Sequence, residues 1–513
     1  MTRDILLERA EIDDVVAGGT LCSAFAATVD RHGPLDALRW KEADGWHSLS
    51  WDEYRLLVRD VSLGLGAVGF RRGTCALVLA RNRPEHVIAD LAIVHAGGRP
   101  VSVYNTVSGA QLSFIARHCE ATLAVVEDEG FLDLLLSVRS DIPHLDTVIL
   151  VDGDRPGTIA WESLAEEGRA IARRHPAGFD ETAAAVQADD VATVVYTSGT
   201  GGGPKGVVLT HRNVLWALEA VRRVANTEVG ERLISFMPLA HAAERWWSHW
   251  NGLVHGTTTH FCADLGALAP TMAEVRPTWF LAPPRVWEKL AAGVQARVDA
   301  APADARDRLT AALGVGRQVL ARQRVQEPVP ADLQDRYQAV RPVLTSILAG
   351  IGLDECRVAV SGSAAIAPET LEFFNALGLD LIDGWGMTEL TGTGTWRHGW
   401  ERSKLLTVGR TLPGVEACVA PDGELLLRGG NVMAGYHRDE AATARVIDAD
   451  GWLSTGDVAT IDDDGCIRLV GRKKDIIITA GGKKVAPAAI ETRLRQHPLI
   501  GQVCVVGEGR PYL

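Results

Sequence analysis

The sequence predicts an α/β protein, with two doubly wound α/β halves, a small β subdomain and the start of a small α+β domain. Three observations predict this. Apolar, β-branched runs alternate with helical-period stretches; the alternation runs twice, on either side of about residue 185; and beyond Thr407 it gives way to short strands broken by turn signals. Alternation of the first kind is what a mostly parallel sheet covered on both faces by crossover helices requires.

In chain order, the first half (about 1–185) carries the strand-like CALVLA from Cys75 and a helical stretch from Pro84 to Gly97. RPVSVY, a second helical stretch from Ser108 to Glu120 and then TLAVVED follow, a β-α-β-α-β series. In the second half (186–400), VATVVYTSG, RLISFMP, TTTHFC and TWFLAPP read as buried strands, each followed by a segment of crossover length. Ala301 to Gly350, rich in Ala, Arg, Gln and Leu, reads as an outer helical hairpin. PDGELLLRGG, DADGW and IDDDGCIRLVG are hairpin-forming and predict a compact β subdomain over 405–470. The large unit therefore spans 1–473, and 474–513 begins a β-α-β unit.

Composition narrows the function classes. With 513 residues, 47% hydrophobic and 23% charged, the chain is long enough for several subdomains and is neither disordered nor built around a bilayer-length apolar run. A net charge of −13 argues against gathering nucleic acid, so any phosphate must be held by a local group of cations. The 8 cysteines have no CxxC pair and the 15 histidines no HExxH, so neither a disulfide framework nor a structural metal is expected. The N-terminus lacks the segments of a secretory signal, and a cytoplasmic location is expected.

One loop announces phosphate chemistry. Thr197, Ser198, Gly199, Thr200, Gly201, Gly202, Gly203, Pro204 and Lys205 lie between VATVVYTSG and the apolar GVVLT. Glycines let backbone N–H groups approach oxyanions, hydroxyls add donors, and the lysine neutralises charge that would repel an incoming carboxylate. The Walker order of Gly-Lys-Ser/Thr opening a helix is absent, since a β-branched run follows Lys205 and the helix begins only after Thr210 and His211.

YTSGTGGGPKGVVLTHRN closely resembles the signature of the adenylate-forming superfamily. The resemblance continues in order through NRPEHVIADLAIVHAGGRPVSVYNT, FMPLAHAAER, APPRVWEKL, VAVSGSAAI, DGWGMTE, GELLLRGGNVMAGYH, GWLSTGDVATIDDDG and GRKKDIIITAGGKKVAP. The PLAHAAER form is that of long-chain fatty acyl-CoA synthetases. The resemblance implies an enzyme that joins a fatty acid to ATP as an acyl-adenylate and then to CoA, with Mg²⁺. Its implied rivals are a fatty acyl-AMP ligase serving a carrier protein and a non-catalytic acyl-adenylate binding module.

Roles carry over by position. The resemblance implies that Trp385 stacks on adenine, within Asp383, Gly384, Trp385 and Gly386, while Gly362, Ser363 and Ala364 lie against the other face. Thr388 would bond the α-phosphate, Glu389 hold Mg²⁺, Asp457 take the ribose hydroxyls beside Arg472, and Lys205 the phosphates. His241 would stand at the acyl-pocket wall, either with a direct catalytic part or as a structural histidine at a helix start, with Trp246 or Trp247 bordering an apolar channel and another indole in the core. Lys474 matches the hinge of a mobile C-terminal domain, and Gly482 and Lys483 the segment facing CoA. Taken singly, Trp385 would pass for a core residue, Glu389 for a helix-entry acid, and Asp457 and Arg472 for surface charges.

Two departures stand out. Gly201 replaces a threonine of the signature, and the family's adenylation lysine matches no residue here, so the chain is expected to be C-terminally truncated and impaired in turnover. The resemblance leaves open peripheral membrane contact and a homodimer.

Overall fold

A computed structural model describes residues 4–197, 203–397, 402–494 and 499–513. The strands in chain order are β1 (Asp36–Glu42), β2 (Gly45–Ser50), β3 (Cys75–Leu79), β4 (Arg99–Ser102), β5 (Leu123–Val126), β6 (Thr147–Leu150) and β7 (Ile159–Ala160). They continue with β8 (Val191–Thr197), β9 (Lys205–Thr210), β10 (Arg232–Ser235), β11 (Thr258–Phe261), β12 (Trp279–Ala282), β13 (Val358–Ser361) and β14 (Leu381–Asp383). The later strands are β15 (Thr395–Trp396), β16 (Arg410–Thr411), β17 (Glu416–Val419), β18 (Glu424–Arg428), β19 (Gly435–Tyr436), β20 (Leu453–Ile461), β21 (Ile467–Arg472), β22 (Ile477–Ile478) and β23 (Lys484–Val485).

The first sheet runs β4-β3-β5-β6-β7, all parallel, as the β-α-β-α-β reading requires. Its crossover helices are Pro84–His95, opened by a proline in its first turn, and Gly109–His118, capped by Ser108 in a reciprocal box with Gln111. The Pro84–His95 helix is buried at every position except Glu85, so it is sandwiched rather than half-exposed.

A second sheet, β10-β11-β1-β2, crosses the expected division near residue 185, because β1 pairs in parallel with β11. β12-β13-β14 continues it: the Thr278 N–H donates to the Arg232 carbonyl at 3.0 Å beside β10. β8 differs from the sequence expectation. It does not lead into a crossover; it turns back through the phosphate loop to pair antiparallel with β9, with Thr197 opposite Lys205. Ala303–Arg324 and Ala331–Ala349 form the expected helical pair, and β17-β18-β20-β21 form the antiparallel subdomain. One apolar core unites the second sheet, its helices and the β subdomain, and another lies between the first sheet and the helices on its outer face.

Candidate active site

The C-terminal ends of parallel strands are where an open α/β sheet leaves room for a ligand. Here β13 and β14 end side by side, with Ser361 opposite Asp383, and deliver Gly362 and Ser363 on one strand and Gly384, Trp385 and Gly386 on the other. Ser363 takes a φ of +69°, an unfavourable conformation for a residue with a side chain. Gly386 must be glycine: a Cβ there would stand 2.3 Å from the Gly392 carbonyl oxygen. These residues line a cavity of about 910 Å³.

A second wall comes from the β subdomain. The β20–β21 register sets Asp457 opposite Arg472, whose Nε lies 2.9 Å from Asp457 Oδ1, while Trp385 Nε1 donates to Asp457 Oδ2 at 2.9 Å. One carboxylate thus ties the indole to the guanidinium. Burial pushes the Asp457 carboxyl above the usual range against the opposing pull of Arg472 and Trp385, and it pushes Asp383 up to about 8.

The third wall holds the charges suited to a polyphosphate. Lys205 Nζ sits 4.5 Å from the centre of the Tyr436 ring, and the Tyr436 hydroxyl donates to Glu389 Oε1 at 2.8 Å. Strand pairing makes this possible, since β19 lies against β9 with Tyr436 opposite Val207. Thr388 and Glu389 occupy a tight 3₁₀ turn, Thr388–Leu390. In a chain of net charge −13, this one cavity gathers Lys205, Arg445, Arg472, Lys473 and Lys474.

The remaining wall is apolar. His241 caps a short helical turn, its Nδ1 accepting the Ala243 N–H at 3.1 Å, which leaves the proton of the neutral ring on Nε2. Burial lowers the pKa of this imidazole and keeps it neutral. A π-helical turn, Arg245–Trp250, follows. Trp246, Trp247, Trp279 and Trp396 close into a ring of four indoles, with successive centroids 5.8, 5.3, 6.4 and 6.4 Å apart. Trp246, Trp247 and Trp396 line the cavity and Trp279 is wholly buried with them. Trp250 packs away from the cavity, beneath the Arg245 guanidinium.

Most of the expected site residues therefore meet: Thr197, Lys205, His241, Trp246, Trp247, Gly362, Ser363, Gly384, Trp385, Gly386, Thr388, Glu389, Arg472 and Lys474 all line the cavity. Asp457 reaches it through Trp385 and Arg472, and Ala364 and Asp383 flank lining residues without lining it. Gly482 and Lys483 are exposed and do not line it. Ser198, Gly199, Thr200, Gly201 and Gly202 lie outside the described residues. Sequence reasoning missed Tyr436, Trp396, Glu424 and Arg445. Tyr436 sits within GELLLRGGNVMAGYH, a signal that was available, whereas Trp396 has none.

Comparison with known proteins gives a consistent result. The model of the AMP-binding enzyme family matches residues 25–437, and that of the AMP-binding enzyme C-terminal domain matches 474–513. The chain is 32% identical to a long-chain-fatty-acid–CoA ligase, ACSBG2, of Xenopus laevis, over 96% of this chain and 68% of that protein. It is 34% identical to the long-chain-fatty-acid–CoA ligase FadD15 of Mycobacterium bovis, over 94% and 79%. Among solved structures, the anthranilate CoA ligase AuaEII with anthranoyl-AMP superposes with a TM-score of 0.75 at 20% identity, covering 96% of this chain and 85% of that one. A benzoate CoA ligase from Burkholderia xenovorans superposes with a TM-score of 0.72 at 20% identity, covering 96% and 87%. At those identities the likeness is one of fold.

Proposed function

Since the chain belongs to the AMP-binding enzyme family, we propose that it activates a fatty acid with ATP to an acyl-adenylate, releasing pyrophosphate, and then transfers the acyl group to CoA. The observation that carries this reading is that an indole (Trp385), an ammonium (Lys205) and a carboxylate (Glu389) line one cavity together with Gly362 and Ser363. The names of the relatives support the fatty-acyl choice.

A carboxylate is a poor electrophile because its leaving group would be oxide. Its oxygen therefore attacks the α-phosphorus of ATP, pyrophosphate departs, and AMP becomes the leaving group for the thiolate of CoA. The first step is a displacement at phosphorus, in which positioning and charge neutralisation supply most of the catalysis. Lys205 neutralises phosphate charge from its place over the Tyr436 ring, whose hydroxyl donates to Glu389. Thr388 bonds the α-phosphate. Glu389 fits Mg²⁺, a cation that usually takes one or two protein carboxylates and completes its shell with phosphate oxygens and water. Bound with the nucleotide, it would supply further charge neutralisation.

Trp385 faces the base, held edge-on by Asp457, and Gly362 and Ser363 leave space on the other side. The Asp457 carboxylate takes the ribose hydroxyls beside Arg472. His241, Trp246 and Trp247 receive the acyl chain. Lys474 is the hinge, and Gly482 and Lys483 turn toward CoA after rotation.

The test is to incubate the protein with ATP, Mg²⁺, CoA and a panel of fatty, aryl and amino acids, and to follow AMP and thioester by mass spectrometry. Acyl-CoA from fatty acids is expected. Activation of an aryl or amino acid in preference to every fatty acid overturns the substrate class, and acyl-adenylate without thioester points to a carrier protein as acceptor.

A further inference from the structure

Behind the indole wall lies a group of buried polar side chains with no part in that chemistry. Arg245 is 1% exposed; its Nη2 bonds Asp90 Oδ2 at 2.5 Å and its Nη1 donates to Ser102 Oγ at 2.8 Å. His249 Nε2 lies 3.1 Å from Asp90 Oδ1, and His86 Nε2 lies 2.9 Å from the same Ser102 hydroxyl. A second chain of bonds runs alongside. Ser248 donates to Glu244 Oε1 at 2.7 Å and meets Ser235 Oγ at 3.2 Å, and Asn82 Nδ2 donates to Ser235 Oγ at 2.8 Å. Burial favours the neutral acid at Asp90, but Arg245 and His249 outweigh it and hold the carboxyl at about 2.

A buried ion pair is a weak source of net stability, because apolar residues of the same volume do as well or better, whereas directional bonds fix orientation. The segment these bonds hold is the π-helical turn Arg245–Trp250, a rare geometry that tends to mark functional sites. Arg245, Ser248 and His249 reach the network, while Trp246 and Trp247 of the same turn line the cavity. Asp90, Arg245, Ser102 and His249 do not line it. The rotation of one turn thus sets both.

We propose that Asp90 is a positioning residue for acyl selectivity: through Arg245 and His249 it fixes the π-helical turn, and so where Trp246 and Trp247 stand in the acyl pocket. This rests on the acyl-adenylate reading above.

The experiment compares the wild-type chain with Asp90→Asn and Ser102→Ala, measuring calorimetric dissociation constants for AMP and for nonhydrolysable acyl-adenylate analogues of short, medium and long chains. Ser102→Ala removes one neutral anchor of Arg245 and keeps the test decisive where Asp90→Asn does not fold. AMP affinity is expected to stay within about twofold of wild type. The ratio of long-chain to short-chain affinity is expected to shift by roughly tenfold, the size of effect that gaining or losing room for about one methylene has in an apolar pocket. An unchanged ratio in the folded variants, or an equal loss for AMP and every analogue, overturns the positioning role while leaving the acyl reading intact. Wild-type protein that binds AMP and none of the analogues overturns the acyl reading and this proposal with it.

Discussion

Replacing Asp457 with asparagine separates what this carboxylate does for the nucleotide from what it does for the fold. Its oxygens engage Trp385 Nε1 and Arg472 Nε, each at 2.9 Å. The Arg472 side chain is 48% exposed, so that pairing gives the fold at most about 1 kcal/mol. Burial raises the folded-state pKa of Asp457. Such a group contributes stability that is fully present below the unfolded pKa and lost as pH rises through the folded one, so at neutral pH its charge opposes folding. An asparagine keeps only one acceptor oxygen for these two donors, so D457N relieves the buried charge while giving up one of the bonds, and without ligand it should melt close to the wild-type temperature. Binding changes more. Two ribose hydroxyls that donate to a carboxylate lose a charged acceptor worth about 1.5–3 kcal/mol, or roughly tenfold to a hundredfold in AMP affinity. Calorimetric titration with AMP beside a thermal melt reads both effects at once. D457N that binds AMP as the wild type does refutes the ribose role, and a large fall in the unliganded melting temperature refutes the electrostatic argument.

Other expectations follow from the same geometry. Trp246→Ala and Trp247→Ala should each move the preferred acyl length and cost about 3–5 kcal/mol of stability; unchanged preference in both, read by competition among fatty acids, discards the channel. A Cβ at Gly362 meets only Leu281 Cδ1 at 3.4 Å and the Gly384 carbonyl oxygen at 3.7 Å. Gly362→Val should accordingly fold yet weaken AMP binding by roughly tenfold or more, and undiminished binding would remove Gly362 from the nucleotide site. The Asp383 carboxyl, raised from 3.8 to about 8, withdraws stability as pH rises across that window. Melting temperatures of Asp383→Asn should fall less between those limits than those of wild type, and parallel pH profiles would contradict the shift.

How far the sequence revealed this molecule depends on how local each signal is. The parallel first sheet was legible because its strands and crossover helices follow one another within short spacings. The pairing of β1 with β11 was not, because Leu38 meets Thr259 across a separation that no periodicity spans. The phosphate loop was legible as chemistry, but the antiparallel pairing of the strands on either side of it was not, since the stretch between Thr197 and Lys205 is longer than the two-residue turn that marks a tight hairpin. At the site, residues inside contiguous motifs were identified together. Trp396 closes the indole ring from a short strand far along the chain, and only the fold brings it there. The buried network behind the π-helical turn escaped for a related reason. Asp90 and His86 sit in a helix buried on nearly every side, where a polar residue breaks no visible stripe, and a 3.6-residue template does not describe Arg245–Trp250.

The most direct test of the central claim, that one cavity holds nucleotide and fatty-acyl chain together, is thermal stabilisation of the protein by nonhydrolysable acyl-adenylate analogues of increasing chain length. A ligand that binds only the folded state raises its stability by mass action. Stabilisation beyond that given by AMP, growing with chain length, is the predicted result. No stabilisation beyond AMP by any acyl group would contradict the account.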